Sequence, residues 1–92
     1  MIVIWSDQAK LTYNMVIDEI LDNWNPAIAE GFESITNSLL DNLKKHKKLC
    51  PPSKKKNLRK CVIHKNISLV YQIHNSTIKL VTFIDNRSGH HY

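Results

Sequence analysis

Ile67-Ser68-Leu69-Val70-Tyr71-Gln72-Ile73-His74, then Asn75-Ser76, then Thr77-Ile78-Lys79-Leu80-Val81-Thr82-Phe83-Ile84-Asp85 is the stretch that decides the fold of this chain. Two runs rich in β-branched and aromatic residues around a polar pair predict a β-hairpin. Side chains alternate across a strand, so Ile67, Leu69, Tyr71 and Ile73 share one face and Ser68, Val70, Gln72 and His74 the other. The first set makes the better core face, which predicts that the second is open. Beyond the hairpin runs a short tail, Asn86-Arg87-Ser88-Gly89-His90-His91-Tyr92, crowded with groups that bind phosphate or move protons.

Upstream of the hairpin, Leu58-Arg59-Lys60-Cys61-Val62-Ile63 predicts a further strand that turns at Lys65-Asn66, and Pro51 to Asn57 reads as a linker carrying Lys54-Lys55-Lys56. Before the linker lie two amphipathic segments. One follows Asn25-Pro26, an N-cap and a first-turn proline, with apolar positions at Ile28, Phe32, Ile35, Leu39 and Leu43 and an end near Lys48, where Pro51-Pro52 forbids continuation. The other follows the N-cap Ser6, with Ala9, Tyr13, Val16, Ile17, Ile20, Leu21 and Trp24 on one stripe. Both stripes, and Trp5 and Trp24 with them, read as core. Ile2-Val3-Ile4-Trp5 supplies a first strand. The order β, α, α, β, β, β predicts an α+β fold: a small, largely antiparallel four-stranded sheet with a two-helix hairpin on one face. Ninety-two residues make that a single domain, 1–92.

Charge is divided unevenly. Met1 to Leu43 nets −6 and Lys44 to Tyr92 nets +11, and nine of the seventeen residues from Lys44 to Lys60 are basic. Such a half faces a polyanion, with nucleic acid first and an acidic protein second. Lys44, Lys48, Lys54, Lys55, Lys56 and Lys60 are the candidate RNA-binding residues. With Gly31 and Gly89 as its only glycines, the chain has no Gly-rich phosphate loop, which argues against nucleotide-dependent phosphoryl transfer. Met1 to Ile4 carries neither a basic leader nor an apolar run long enough for export, so a cytoplasmic location, away from membranes, is expected. In that compartment Cys50 and Cys61 are expected as reduced, buried, small hydrophobes; they do not have zinc-site spacing.

Cutting RNA without a metal needs a proton acceptor for the 2′-hydroxyl, a donor for the departing 5′ oxygen, and fixed cations for the charge that builds on phosphorus. Arg59, Arg87, His90, His91 and Tyr92 are residues of those kinds. Tyr92 also offers a ring on which an unstacked base can lie. His64 and His74 read as ordinary strand-end histidines, and Asp85, the one acid of the basic half, as a residue that orients Arg87 or caps the strand end. Neither a metal nor a cofactor is expected.

Taken together, Trp5-Ser6-x-x-Ala9 after the opening strand, the helical hairpin, Leu58-Arg59-Lys60, Leu69-Val70-Tyr71-Gln72-Ile73 and the closing Asp85-Asn86-Arg87 resemble the RelE/ParE superfamily of bacterial type II toxins over nearly the whole length. The resemblance implies a toxin held inactive by a cognate antitoxin, whose acidic segment is expected over the basic sheet face. RelE-like branches cut mRNA at the ribosomal A site; ParE-like branches poison DNA gyrase. His91-Tyr92 is similar to the C-terminal His-Tyr of the YoeB group. On that branch Arg59, Arg87, His91 and Tyr92 are the catalytic set, acting on mRNA in the ribosome and inhibiting translation. Ser68 stands where such nucleases commonly carry arginine. That departure keeps a non-enzymatic gyrase inhibitor, or a member that only binds antitoxin or nucleic acid, as the alternatives.

Overall fold

Ser6 and Asn25 start the two helices as their side chains dictate. Ser6 Oγ accepts from the Ala9 N–H at the head of α1 (Asp7–Asn23), and Asn25 Oδ1 from the Ile28 N–H at the head of α2 (Pro26–Lys45). The computed structural model describes residues 1–64 and 66–92; Lys65, half of the expected Lys65-Asn66 turn, lies outside them. β1 (Ile2–Trp5) precedes the helices, and β2 (Arg59–His64), β3 (Ile67–His74) and β4 (Thr77–Asp85) follow them. The strands lie in the order β1-β4-β3-β2, with β1 parallel to β4 and the other pairs antiparallel. This is the α+β, βααβββ architecture expected. α2 ends at Lys45, a turn earlier than its lysines suggest, with His46 as C-cap.

The core lies between the helices and one sheet face. Leu69 and Tyr71 of β3, Ile78, Leu80 and Phe83 of β4, Cys61 of β2, Ala9 of α1 and Leu40 and Leu43 of α2 are buried together. Trp5 stacks on Phe83 at 5.7 Å between centroids and meets Tyr13 edge-on at 5.2 Å. Trp24 does not join them: it is 70% exposed, which corrects its reading as core. Ile28 and Ile35 are exposed as well, so only part of each helical stripe is buried.

A β-bulge couples sheet to helix. Val70 faces Thr82 and Tyr71 faces Leu80, leaving Val81 as the extra residue of β4. A bulge breaks the ladder and strands backbone groups. Here α1 takes them up: the Ser6 hydroxyl donates to the Val81 carbonyl at 2.8 Å, and the Phe83 N–H donates to the Thr12 hydroxyl at 2.9 Å. Thr12 in turn donates to the Gln8 carbonyl.

Cys50 and Cys61 form a disulfide, with Cα atoms 5.2 Å apart, which overturns the expectation of two reduced thiols. Their burial is as expected. Their pairing arises because the linker doubles back, so that Pro52 bridges Arg59 and lays Cys50 beside β2. Among the described residues no helix is long and apolar enough to cross a membrane. Closing a short loop of this size contributes about 3 kcal/mol through the unfolded chain. Urea unfolding of a Cys50→Ser/Cys61→Ser variant, or of the reduced protein, is therefore expected to show that loss; equal stability would mean that the hydrogen bonds of the loop hold it unaided.

Candidate nucleic-acid interface

Strand parity sorts the candidate residues. Arg59 lies opposite Tyr71 and therefore on the core side of the sheet; Lys60 lies opposite Val70 and on the outward side. The Arg59 guanidinium donates through Nη1 to the Cys50 carbonyl at 2.6 Å. Tyr71 meets the same corner: its hydroxyl donates to the Lys47 carbonyl at 2.7 Å and accepts from the Cys50 N–H at 3.4 Å. Burial pushes the Tyr71 phenol up, against the opposing pull of the Cys50 hydrogen bond and the Arg59 charge.

Arg87 is engaged elsewhere. Its Nε and Nη2 grip the two Asp85 oxygens at 3.0 and 2.7 Å, and Glu19 of α1 stands 4.0 Å away. The hydrogen bonds from the Arg87 side chain and backbone hold the Asp85 carboxyl down at about 2. Asp85 orients Arg87, as its position suggested. Lys44 pairs with Asp41 at 3.8 Å and lines a cleft beside β1 with Met1, Ile2 and Trp5, remote in the fold from the lysine loop. Lys48 is exposed in the turn after α2.

The groups that do converge are Lys54, Lys55, Lys60, His90 and Tyr92. The Lys54 N–H donates to the Tyr92 carbonyl at 3.4 Å, and Lys55 Nζ sits over the Tyr92 ring, 4.4 Å from its centroid. The Tyr92 N–H donates to His90 Nδ1 at 3.1 Å. Desolvation, followed by the charges of Lys60, Lys54 and His91, lowers the His90 pKa, while Asp85 opposes them. His91 is exposed at the same end. The tail thus turns back from the end of β4 across the outward sheet face to the lysine loop.

That face is consequently not bare, as was expected, in its first half. Ser68 and Val70 are fully buried, and the Ser68 hydroxyl donates to Asn86 Oδ1 at 2.9 Å, pinning the start of the tail. The second half carries Gln72 and His74 beside a cleft of about 570 Å³ whose other wall is the loop from Pro52 to Arg59. Gln72 and His74 were not among the candidates for the chemistry, and His90 was named for its kind but left out of the catalytic set. Alternation along β3 placed the first two on this face, whereas the part His90 plays beside Tyr92 is set by its three-dimensional neighbours.

A second surface has the opposite character. Val16, Ile20, Trp24, Ile28, Ile35 and Ile67 line a largely apolar groove of about 840 Å³ between the helical hairpin and the end of the sheet, with Glu19 and Arg87 at its rim.

Comparison with known proteins places this geometry. The solved structures with the same fold include a chromosomal ParDE toxin-antitoxin system from P. aeruginosa, at TM-score 0.80 and 14% identity over 92% of this chain and 95% of that one. A copper-bound variant toxin from Helicobacter pylori follows at TM-score 0.72 and 16% identity, covering 98% and 99%. A conserved hypothetical protein from Helicobacter pylori, solved in solution, has TM-score 0.55 and 15% identity, covering 95% and 96%. A search of curated protein sequences gives no match. The family model for the ParE toxin of the type II toxin-antitoxin system parDE matches residues 3–89. The chain belongs to the ParE toxin family of type II toxin-antitoxin systems.

Proposed function

We propose that this toxin arrests translation by cutting mRNA on the ribosome, and that the lysine loop and the tail are its working surface. The observation that carries this reading is the convergence of Lys54, Lys55, Lys60, His90 and Tyr92 at one end of the outward sheet face. In the reaction the 2′-oxygen attacks phosphorus, the bond to the 5′ oxygen breaks, and a 2′,3′-cyclic phosphate and a 5′-hydroxyl result. His91, exposed, accepts the 2′-hydroxyl proton, and the Tyr92 hydroxyl supplies one to the departing oxygen. Lys54 and Lys60 offset the charge building on the phosphate. His90 is a positioning residue, since its Nδ1 is occupied by the Tyr92 N–H. Arg59 and Arg87, already bound to Cys50 and Asp85, serve the scaffold. Ser68, in place of the usual arginine, anchors the tail through Asn86.

The engagement of both arginines also favours a second reading, a toxin that acts by binding DNA gyrase and in which the tail is a contact surface. Primer extension in a reconstituted bacterial translation reaction separates the two. The expected result is cuts at A-site codons that require ribosomes, lost in a His91→Ala/Tyr92→Ala variant and reduced about 10- to 100-fold in Lys54→Ala. Intact mRNA together with inhibited gyrase supercoiling would establish the second reading.

Membership of a toxin-antitoxin family implies a cognate antitoxin. We place an apolar helix of that antitoxin in the groove lined by Val16, Ile20, Trp24, Ile28 and Ile35, because Trp24, Ile28 and Ile35 are exposed and gain most from a matching apolar face. Trp24→Ala is expected to weaken the complex by about 2 kcal/mol or more in calorimetric titration. Ile35→Asp is expected to do the same with thermal stability unchanged. Wild-type affinity in both variants would move the antitoxin to the basic face.

A further inference from the structure

We propose that the cleft between the Pro52–Arg59 loop and the outward face of β3 binds one purine nucleotide of single-stranded RNA, and that Gln72 reads its base. The inference rests on the reading of the outward face as an RNA surface, and extends it from the reacting phosphate to the neighbouring base.

Four observations carry it. The cleft is lined by Lys54, Lys55 and Lys56 and by no acidic residue. Lys79 lies opposite Gln72 on the same face and adds a cation beside those of the lining. Lys54 and Lys55 belong to both the cleft and the tail, since they also hold Tyr92, so a strand whose phosphate lies at the tail enters the cleft without leaving the sheet. Gln72 and His74 make no side-chain hydrogen bond within the described residues, although Gln72 is half-buried.

The chemistry of Gln72 and His74 selects the ligand. A glutamine amide presents a donor and an acceptor side by side, the pattern that pairs with adenine N7 and the adenine 6-amino group. The His74 ring, two residues along the same face and about 7 Å away, is a platform for an unstacked base. An acidic peptide would use the lysines and leave both groups idle. The cleft volume of about 570 Å³ is within the range of small-ligand sites.

The test is fluorescence anisotropy with 2′-O-methyl hexanucleotides of A, C, G and U, which bind but cannot be cut. The A oligomer is expected to bind the full chain tightest and the pyrimidine oligomers weakest. Gln72→Ala is expected to cost the A oligomer about 10-fold and the pyrimidine oligomers less than about 2-fold, which flattens the ranking. Lys56→Ala is expected to weaken all four equally and to lower the salt slope by about one. Equal wild-type affinities, or a ranking untouched by Gln72→Ala in a protein whose circular dichroism is native, would overturn the proposal. So would a hexaglutamate peptide that outcompetes all four oligomers and loses affinity in Gln72→Ala, since that would assign the cleft to an acidic protein. The nuclease reading fails separately: ranked binding without mRNA cleavage supports the subsite and removes the reaction, and cleavage with unranked binding does the reverse.

Discussion

The corner where Cys50, Arg59, Cys61 and Tyr71 meet is the constraint on which the rest depends. The disulfide joins the segment after α2 to β2, the Tyr71 hydroxyl ties the same segment to β3 through Lys47 and Cys50, and Arg59 closes it from below. Four basic residues, Lys54, Lys55, Lys56 and Lys60, hang on this corner or beside it. Like charges so close repel, and an unanchored lysine loop would open into water. Held by one covalent bond and three buried or half-buried hydrogen bonds, the loop keeps a fixed wall toward the outward face. The tail has that wall to lie against.

The molecule separates its two surfaces by their physics. On the outward face cations and hydrogen-bonding groups are left facing solvent, a surface whose attraction to a polyanion is strong, long-ranged and dependent on salt. In the groove between the helices, apolar side chains remain uncovered and the charges stand at the rim, where Arg87 is balanced by Asp85 and Glu19. A partner there is held by area removed from water, which salt hardly weakens. A polyanion and an apolar partner would therefore not compete for the same kind of interaction on this chain.

The caps and the alternation were legible in the residues themselves. Ser6, Asn25-Pro26, the two helical stripes and the hairpin around Asn75-Ser76 each follow from local geometry, and each is present. What depended on register was not. Whether Arg59 or Lys60 faces outward is decided by which residue of β3 it opposes, and the bulge at Ile63, between the β2–β3 turn and those residues, shifts that pairing by one. The disulfide was missed because eleven residues of separation says nothing about a linker that folds back on itself. The exposure of Trp24, Ile28 and Ile35 was missed for a different reason: a helical stripe identifies an apolar face, and does not say whether this chain or another one covers it.

The parallel pairing of β1 with β4 has a consequence in time. Ile2 lies beside Thr77 and Trp5 beside Leu80, and Ser6 donates to Val81, so the first strand and the head of α1 are completed only by the last strand. Contacts between such distant parts of a chain form late and slowly. While it is being made, the polypeptide can have helices but no closed sheet, and therefore neither a basic face nor a shaped groove. A toxin built this way has no finished surface until its last strand has formed. Whatever partner the apolar groove takes meets it only once that closure is done.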